Sequence, residues 1–311
     1  MIFTLPISPL QKLASPLSDS KMVSMWIKRD DLLHPVIQGS KARKITAILP
    51  TVQAQFPGGI LTFGGAFSNH LHAVAAAGHT FGIPTYGIIR GSYADLGNPT
   101  LRACLDYGMQ LNLWPKSTYD ALQKNENNTS LREQYPHTYL LPEGGNTAAA
   151  VLACQQIGHE IYEQLPEFAW ESPVFFCVPA GTGCTAAGMM SGFFAKPPTT
   201  LVFPVTAQGV DENSIRALLP AHAQPNFRLV RDYIGGGFAR LDAPILDFIR
   251  SFKQAEGILL DPIYTGKMML GVYDLLQKGM FPEYSTVVVL HTGGLQGWDG
   301  FNARYDLRIA R

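Results

Sequence analysis

The chain has 311 residues, 46% hydrophobic and 15% charged, with 30 Gly and 22 Pro. At roughly 150 residues per domain this suggests about two domains, and excludes a disordered segment, a peptide ligand or a disulfide-stapled mini-protein. Lys plus Arg balances Asp plus Glu at 24 each, so the basic field that attracts nucleic acid or an acidic membrane is missing and a small-molecule partner is expected. Cys104, Cys154, Cys177 and Cys184 form no CxxC pair and have no His at a zinc spacing, which points to reduced thiols and no metal. MIFTLPISPLQKL lacks a positive n-region followed by an apolar run, and no stretch of about 18 apolar residues occurs, so a cytoplasmic chain without membrane contact is expected and the sequons at Asn127 and Asn128 carry no weight.

In chain order, MVSMWIKR (22–29) is the first apolar run of strand length. QGSKARKI (38–45) then opens a helix whose periodicity places Lys41 with Ile45, Ile48 and Leu49 on the apolar stripe, while Arg43 turns away. Burial disfavours an ammonium and lowers its pKa, the state a Schiff-base lysine needs; the plainer alternative is a lysine snorkelling from a helix start. After the strand GILTFGG (59–65), Ser68, Asn69 and His70 open a helix over 68–77 and offer hydroxyl, amide and imidazole to a carboxylate or phenolate. Ser68 reads equally as an N-cap, and the spacing of His70 and His72 rejects a metal pair. TYGIIRG (85–91) is a further strand, and the polar stretch 116–138 reads as a helix and surface connection.

PEGGN, after Leu141, leads into a helix over 146–164. VFFCVPAG (174–181) is a strand, and PAGTGCTAAG (179–188) joins it to a small-residue helix, so the amides of Gly181, Thr182, Gly183, Cys184 and Thr185 face an anion, with phosphate the natural guest. GTGCTA also meets the loose dinucleotide fingerprint, but the next strand (201–209) ends TAQG and Asp211 lies beyond it, which weakens a nicotinamide reading. Helices over 243–256 and 267–278 flank LLDPIYTGKMMLG (259–271), where Tyr264 and Thr265 lie between a strand-like run and a helix; a phenol there can relay a proton or sit at a core edge. TVVVLHTGG (286–294) ends the series, with Thr292 a neutral hydrogen-bonding group at the strand end. The βαβα alternation gives an α/β class, and glycine at several strand ends implies one convergent site.

With KRDD (28–31), QGSKARK, GGAFSNH, PEGGN, GTGCT, DPIYTGK and HTGG in this order, the chain resembles, over nearly its whole length, the 1-aminocyclopropane-1-carboxylate deaminase and D-cysteine desulfhydrase family of pyridoxal-phosphate enzymes. The resemblance implies a tryptophan-synthase-β-like fold (fold type II): two three-layer α/β domains with open, mostly parallel twisted sheets. The large cofactor-binding domain would take 1–44 and 151–311, with a small α/β domain, 45–150, inserted. It further implies that Lys41 holds pyridoxal 5'-phosphate as an imine, that Asn69 bonds its phenolate, that Gly181 to Thr185 cradle its phosphate, and that Ser68 serves the substrate carboxylate or the chemistry. Tyr264 would lie at the active face, His70 would join Ser68, Asn69 and Tyr264 around a small amino-acid substrate, and the chain would form a homodimer.

Three positions depart from the family pattern: GGNK reads QGSK here, Thr265 stands where the deaminases carry a glutamate, and Phe238 falls near an expected tyrosine. A neutral hydroxyl from Thr265 or Thr292 at the pyridine nitrogen favours elimination. The expected reaction is therefore α,β-elimination of the D-cysteine desulfhydrase type, giving pyruvate, ammonia and sulfide, with Lys41 removing the α-proton. Deamination of the cyclopropane amino acid to 2-oxobutyrate and ammonia is the alternative. From other classes, an NAD-dependent oxidoreductase using GTGCTA and a noncatalytic metabolite-binding protein of the same fold remain open.

Overall fold

The structure is a computed structural model that describes residues 4–91, 96–123, 129–193, 197–207, 209–221, 223, 225–237 and 239–310. Apolar runs of strand length resolve into two sheets. The larger contains β1 (Leu10–Lys12), β2 (Ser24–Arg29), β7 (Val174–Ala180), β8 (Thr199–Pro204), β9 (Phe227–Leu229) and β10 (Thr286–His291), in the order β1-β2-β10-β7-β8-β9. The smaller contains β3 (Gly59–Gly64), β4 (Thr85–Arg90), β5 (Gln110–Trp114) and β6 (Thr138–Leu141), in the order β5-β4-β3-β6. Every pairing is parallel except β1 with β2, which is antiparallel. The central strands β3 and β10 are buried along their whole length, as expected of parallel strands covered by helices on both faces. This is the α/β class expected from the sequence.

The helices expected over 68–77, 146–164 and 267–278 form at Asn69–Phe81, Ala148–Gln164 and Thr265–Gln277, and the one over 243–256 forms at Ala243–Glu256. Ser68, Thr147 and Asp261 set three of these starts. Ser68 and Thr147 accept the amides of Leu71 and Ala150. Asp261 accepts those of Ile263, Tyr264 and Thr265 and the Thr265 hydroxyl, so four donors satisfy a fully buried carboxylate.

Two sequence expectations need correction. The strand-like run before Tyr264 is buried chain that belongs to neither sheet, held to β10 by the His291 imidazole on the Leu259 carbonyl at 2.8 Å. The polar stretch 116–138 contains helix as expected, but it is not confined to the surface: helices Lys116–Gln123 and Thr129–Gln134 send Tyr119 and Leu131 into a core with Phe63 and Ile88. Residues 124–128, with both sequons, and Phe238 lie outside the described residues.

Candidate active site

Lys41 enters the site because Gly39, at φ +61°, turns the chain into the helix Ser40–Gln55. A Cβ at Gly39 would stand 1.7 Å from the Thr292 carbonyl oxygen, so only glycine permits this crossing of the two loops. The departure QGSK has a physical reason here, since the Gln38 side-chain oxygen accepts the Leu295 amide at 2.9 Å and ties the lysine loop to the loop after β10. Ile45, Ile48 and Leu49 are buried along the helix as the periodicity requires. Lys41 itself faces a cavity of about 370 Å³. Burial, and then the neighbouring Lys44 charge, bring its pKa down from 10.5 to about 7.

The same cavity is lined by Ser68, Asn69, His70, Gly181, Thr182, Gly183, Thr185, Tyr264 and Thr292. Cys184 and Thr265 are absent from the lining. The Cys184 side chain is buried beneath the glycine loop and interacts with Cys154, while the Thr265 hydroxyl is spent on Asp261. Between Thr265 and Thr292, only Thr292 faces the cavity.

The glycine loop after β7 ends at Gly183, whose φ of +85° starts the helix Cys184–Ser191. The first amides of that helix have no acceptor within it, and their partial positive charge faces the cavity. The phenol oxygen of Tyr264 would be 3.2 Å from a Cβ on Gly181, so glycine lets the loop backbone approach the ring. Burial, Asp261 and Glu143 all push the Tyr264 pKa upward and keep the phenol protonated. Across the cavity, the Asn69 side-chain oxygen accepts from Gln296 Nε2 at 3.0 Å, and its Nδ2 would be 2.5 Å from a Cβ on Gly294. That amide donates to no group among the described residues.

His70, in the first turn of the helix Asn69–Phe81, is neutral. Thr62 Oγ1 donates to the Leu141 carbonyl at 2.8 Å and also lies 2.8 Å from His70 Nε2, so Nε2 carries the proton and Nδ1 is a bare acceptor. Nδ1 is buried without a partner among the described residues. Burial, then Lys41 and Lys44, hold the imidazole pKa well below 6.5.

Sequence reasoning missed Lys44, whose Nζ donates to the Gly144 carbonyl at 3.1 Å from within the cavity wall. The signal was present, since a residue three positions after Lys41 lies on the same helix face. It also missed Gln296, Arg90 and Glu143, which line the cavity although each lies in or beside a glycine-bearing strand end, PEGGN in the case of Glu143.

Residues 4–293 match the family of pyridoxal-phosphate-dependent enzymes. A Pyrococcus abyssi protein provisionally named 1-aminocyclopropane-1-carboxylate deaminase is 27% identical over 304 residues, spanning 94% of this chain and 89% of that protein. A Klebsiella pneumoniae D-cysteine desulfhydrase is 27% identical over 305 residues, spanning 92% and 91%. The crystal structure of an ACC deaminase homologue superposes with a TM-score of 0.81 at 24% identity, covering 98% of this chain and 94% of that one. The site residues fit the cofactor of this family: a lysine amine of depressed pKa, a glycine loop and helix start for a phosphate, an unused Asn69 amide for a ring oxygen and the Thr292 hydroxyl for a neutral ring nitrogen. The nicotinamide reading of GTGCTA is set aside by the same match, because the chain belongs to the family of pyridoxal-phosphate-dependent enzymes.

Proposed function

We propose that this protein is a lyase that removes the β-substituent of a small amino acid, with D-cysteine as the reference substrate and pyruvate, ammonia and sulfide as products. The observation that carries the reading is the Lys41 amine, poised near neutrality inside the cavity onto which the Gly181–Thr185 loop opens. The likeness to a D-cysteine desulfhydrase supports the choice of substrate class.

Lys41 would hold the cofactor through Nζ, and its amine would be the base that takes the proton from the substrate Cα. An amine with a pKa near 7 is suited to that work at neutral pH. When bound, the cofactor supplies an electron sink for the bonds at Cα. Backbone amides of Gly181 to Thr185 would donate to its phosphate, Asn69 Nδ2 to its ring oxygen, and Thr292 would face its ring nitrogen without charging it. Ser68 and the adjoining amides, with His70 behind them, would hold the substrate carboxylate. Tyr264, kept protonated, would donate a proton at the departing sulfur. The cofactor-binding part would be 1–44 with 151–311, and 45–150 the inserted small domain. We extend the proposal to a cytoplasmic location, with which four free cysteines accord, and to a homodimer on the family resemblance alone; no helix among the described residues is long and apolar enough to cross a membrane.

The test is Lys41→Ala. Visible absorbance of the purified protein and pyruvate release from D-cysteine should both disappear, and persistence of either overturns the assignment. Assaying the cyclopropane amino acid in parallel separates the deaminase alternative, which releases 2-oxobutyrate. Turnover of any amino acid removes the noncatalytic reading.

A further inference from the structure

The mechanism above leaves one wall of the cavity unused. It is built from the carboxyl ends of β4 and β6, and it carries Arg90 and Glu143. Arg90 ends β4 and is exposed at the rim, with its guanidinium carbon 5.8 Å from the centre of the Tyr119 ring. Tyr119 is buried, 1% exposed, and its hydroxyl donates to Glu143 Oε2 at 2.9 Å. That bond fixes the ring plane, so the guanidinium rests on a platform that cannot turn away. A terminal nitrogen of Arg90 would lie 3.6 Å from a Cβ on Gly65, which places it beside the backbone three residues ahead of Ser68. Among the described residues the guanidinium takes part in no ion pair and no hydrogen bond.

A guanidinium offers five donors in a fork that matches a carboxylate or sulfonate. Here the fork is held over an aromatic face, with no ion pair among the described residues, beside the segment assigned to the α-carboxylate. We propose that Arg90, braced by Tyr119, is a specificity residue that selects amino acids whose β-substituent carries an anion, and that it binds the end of the substrate remote from Cα. The inference rests on the lyase reading and names the substrate class for that same site. It adds no covalent step: the Cβ–S bond still breaks with its electron pair on sulfur, and the thiol released bears the anionic group.

The experiment compares S-carboxymethylcysteine with its neutral isostere S-carbamoylmethylcysteine, each as D and L enantiomers, in the holoenzyme by pyruvate release. The expected ratio of kcat/KM, anionic over neutral, is about fivefold or more in the native protein. Arg90→Gln should bring that ratio near unity, mainly through KM, and Arg90→Lys should restore part of it, because charge survives without the fork. Added salt should raise KM for the anionic substrate alone. A native ratio at or below unity, a ratio that Arg90→Gln changes by less than twofold, or failure to turn over either S-substituted substrate while D-cysteine is consumed overturns the assignment of Arg90. Absence of both pyruvate from D-cysteine and Lys41-dependent absorbance overturns the lyase reading instead, and the Arg90 assignment falls with it.

Discussion

Lys41 and Arg43 stand two residues apart on one helix, and both are cations enclosed by protein, yet their surroundings are opposite. Arg43 donates to both oxygens of Asp30, at 2.8 and 2.7 Å, and to both oxygens of Glu160, each at 2.8 Å. Lys28 adds a second cation to Glu160 at 2.6 Å, and Ser8 donates to Asp30 at 2.6 Å. Two positive and two negative groups thus cancel in a buried cluster with its bonds made. Burial alone would raise the Glu160 carboxyl, but Arg43 and Lys28 overcome that and hold it below its ordinary range. Lys41 has no such partner: burial lowers its pKa, Lys44 lowers it further, and the countering groups, the Cys184 and Cys154 thiols and Asp261, are weaker influences. A charge neutralised inside the protein serves the fold, whereas a charge left without a counter-ion beside a cavity is available to a ligand.

The sharpest way to break the contrast is to remove each cation's function in turn. Lys41→Ala should lower turnover by about 10²–10⁴-fold, the range for losing a positioned acid–base group, while far-UV circular dichroism stays unchanged. Glu160→Ala should leave Arg43 and Lys28 partly uncompensated in the interior and cost about 3–5 kcal/mol in denaturant unfolding, with its effect on turnover secondary to that loss. An outcome in which Glu160→Ala is thermally silent would remove the distinction between the two faces.

An effect of comparable size separates them by pH. Lys41 is lowered in the folded apo protein from 10.5 to about 7, so between those values the unfolded chain binds one more proton. Apo stability should therefore rise with pH across that window, by on the order of 5 kcal/mol, and the rise attributable to Lys41 should vanish in Lys41→Met. Glu160 has the same sense in a more acidic window. Its folded pKa is depressed, so its contribution is present above the ordinary carboxylate range and lost as pH falls through the folded value. Urea titrations of the native and Lys41→Met apo proteins at several pH values check both windows.

The contrast also explains what the sequence disclosed. Lys41 and the glycines after β3, β7 and β10 were legible because periodicity and glycine at strand ends are local signals. The ionic cluster was not, since Arg43 meets Asp30 across 13 positions and Glu160 across 117, and the helix pattern showed only that Arg43 leaves the apolar stripe. Tyr119 was hidden in a polar stretch because its own helix is mostly exposed and tertiary contacts bury it, among them Phe63, with ring centres 6.1 Å apart, and Ile88. Thr265 carried a readable signal that admitted two interpretations. As the first residue of its helix it could face the cavity or serve the start of the helix, and Asp261, four residues earlier, takes its hydroxyl.

The smallest expected effect concerns Gln38, where this chain departs from the family pattern beside Lys41. Its side-chain oxygen holds the Leu295 amide, a bond between two loops that both line the cavity and cross at Gly39. Gln38→Ala should cost about 1 kcal/mol of stability, the usual net value of one such bond. Loosening that crossing should also let the Lys41 and Thr292 loops move relative to each other, so the more informative readout is the pH–rate profile. If the tie positions Lys41, the limb governed by its amine, near pH 7 in the free protein, should shift in Gln38→Ala and return in Gln38→Glu at a pH where the carboxylate can accept the same amide. A change in stability with an unmoved profile would assign Gln38 to the fold alone, on Arg43's side of the comparison.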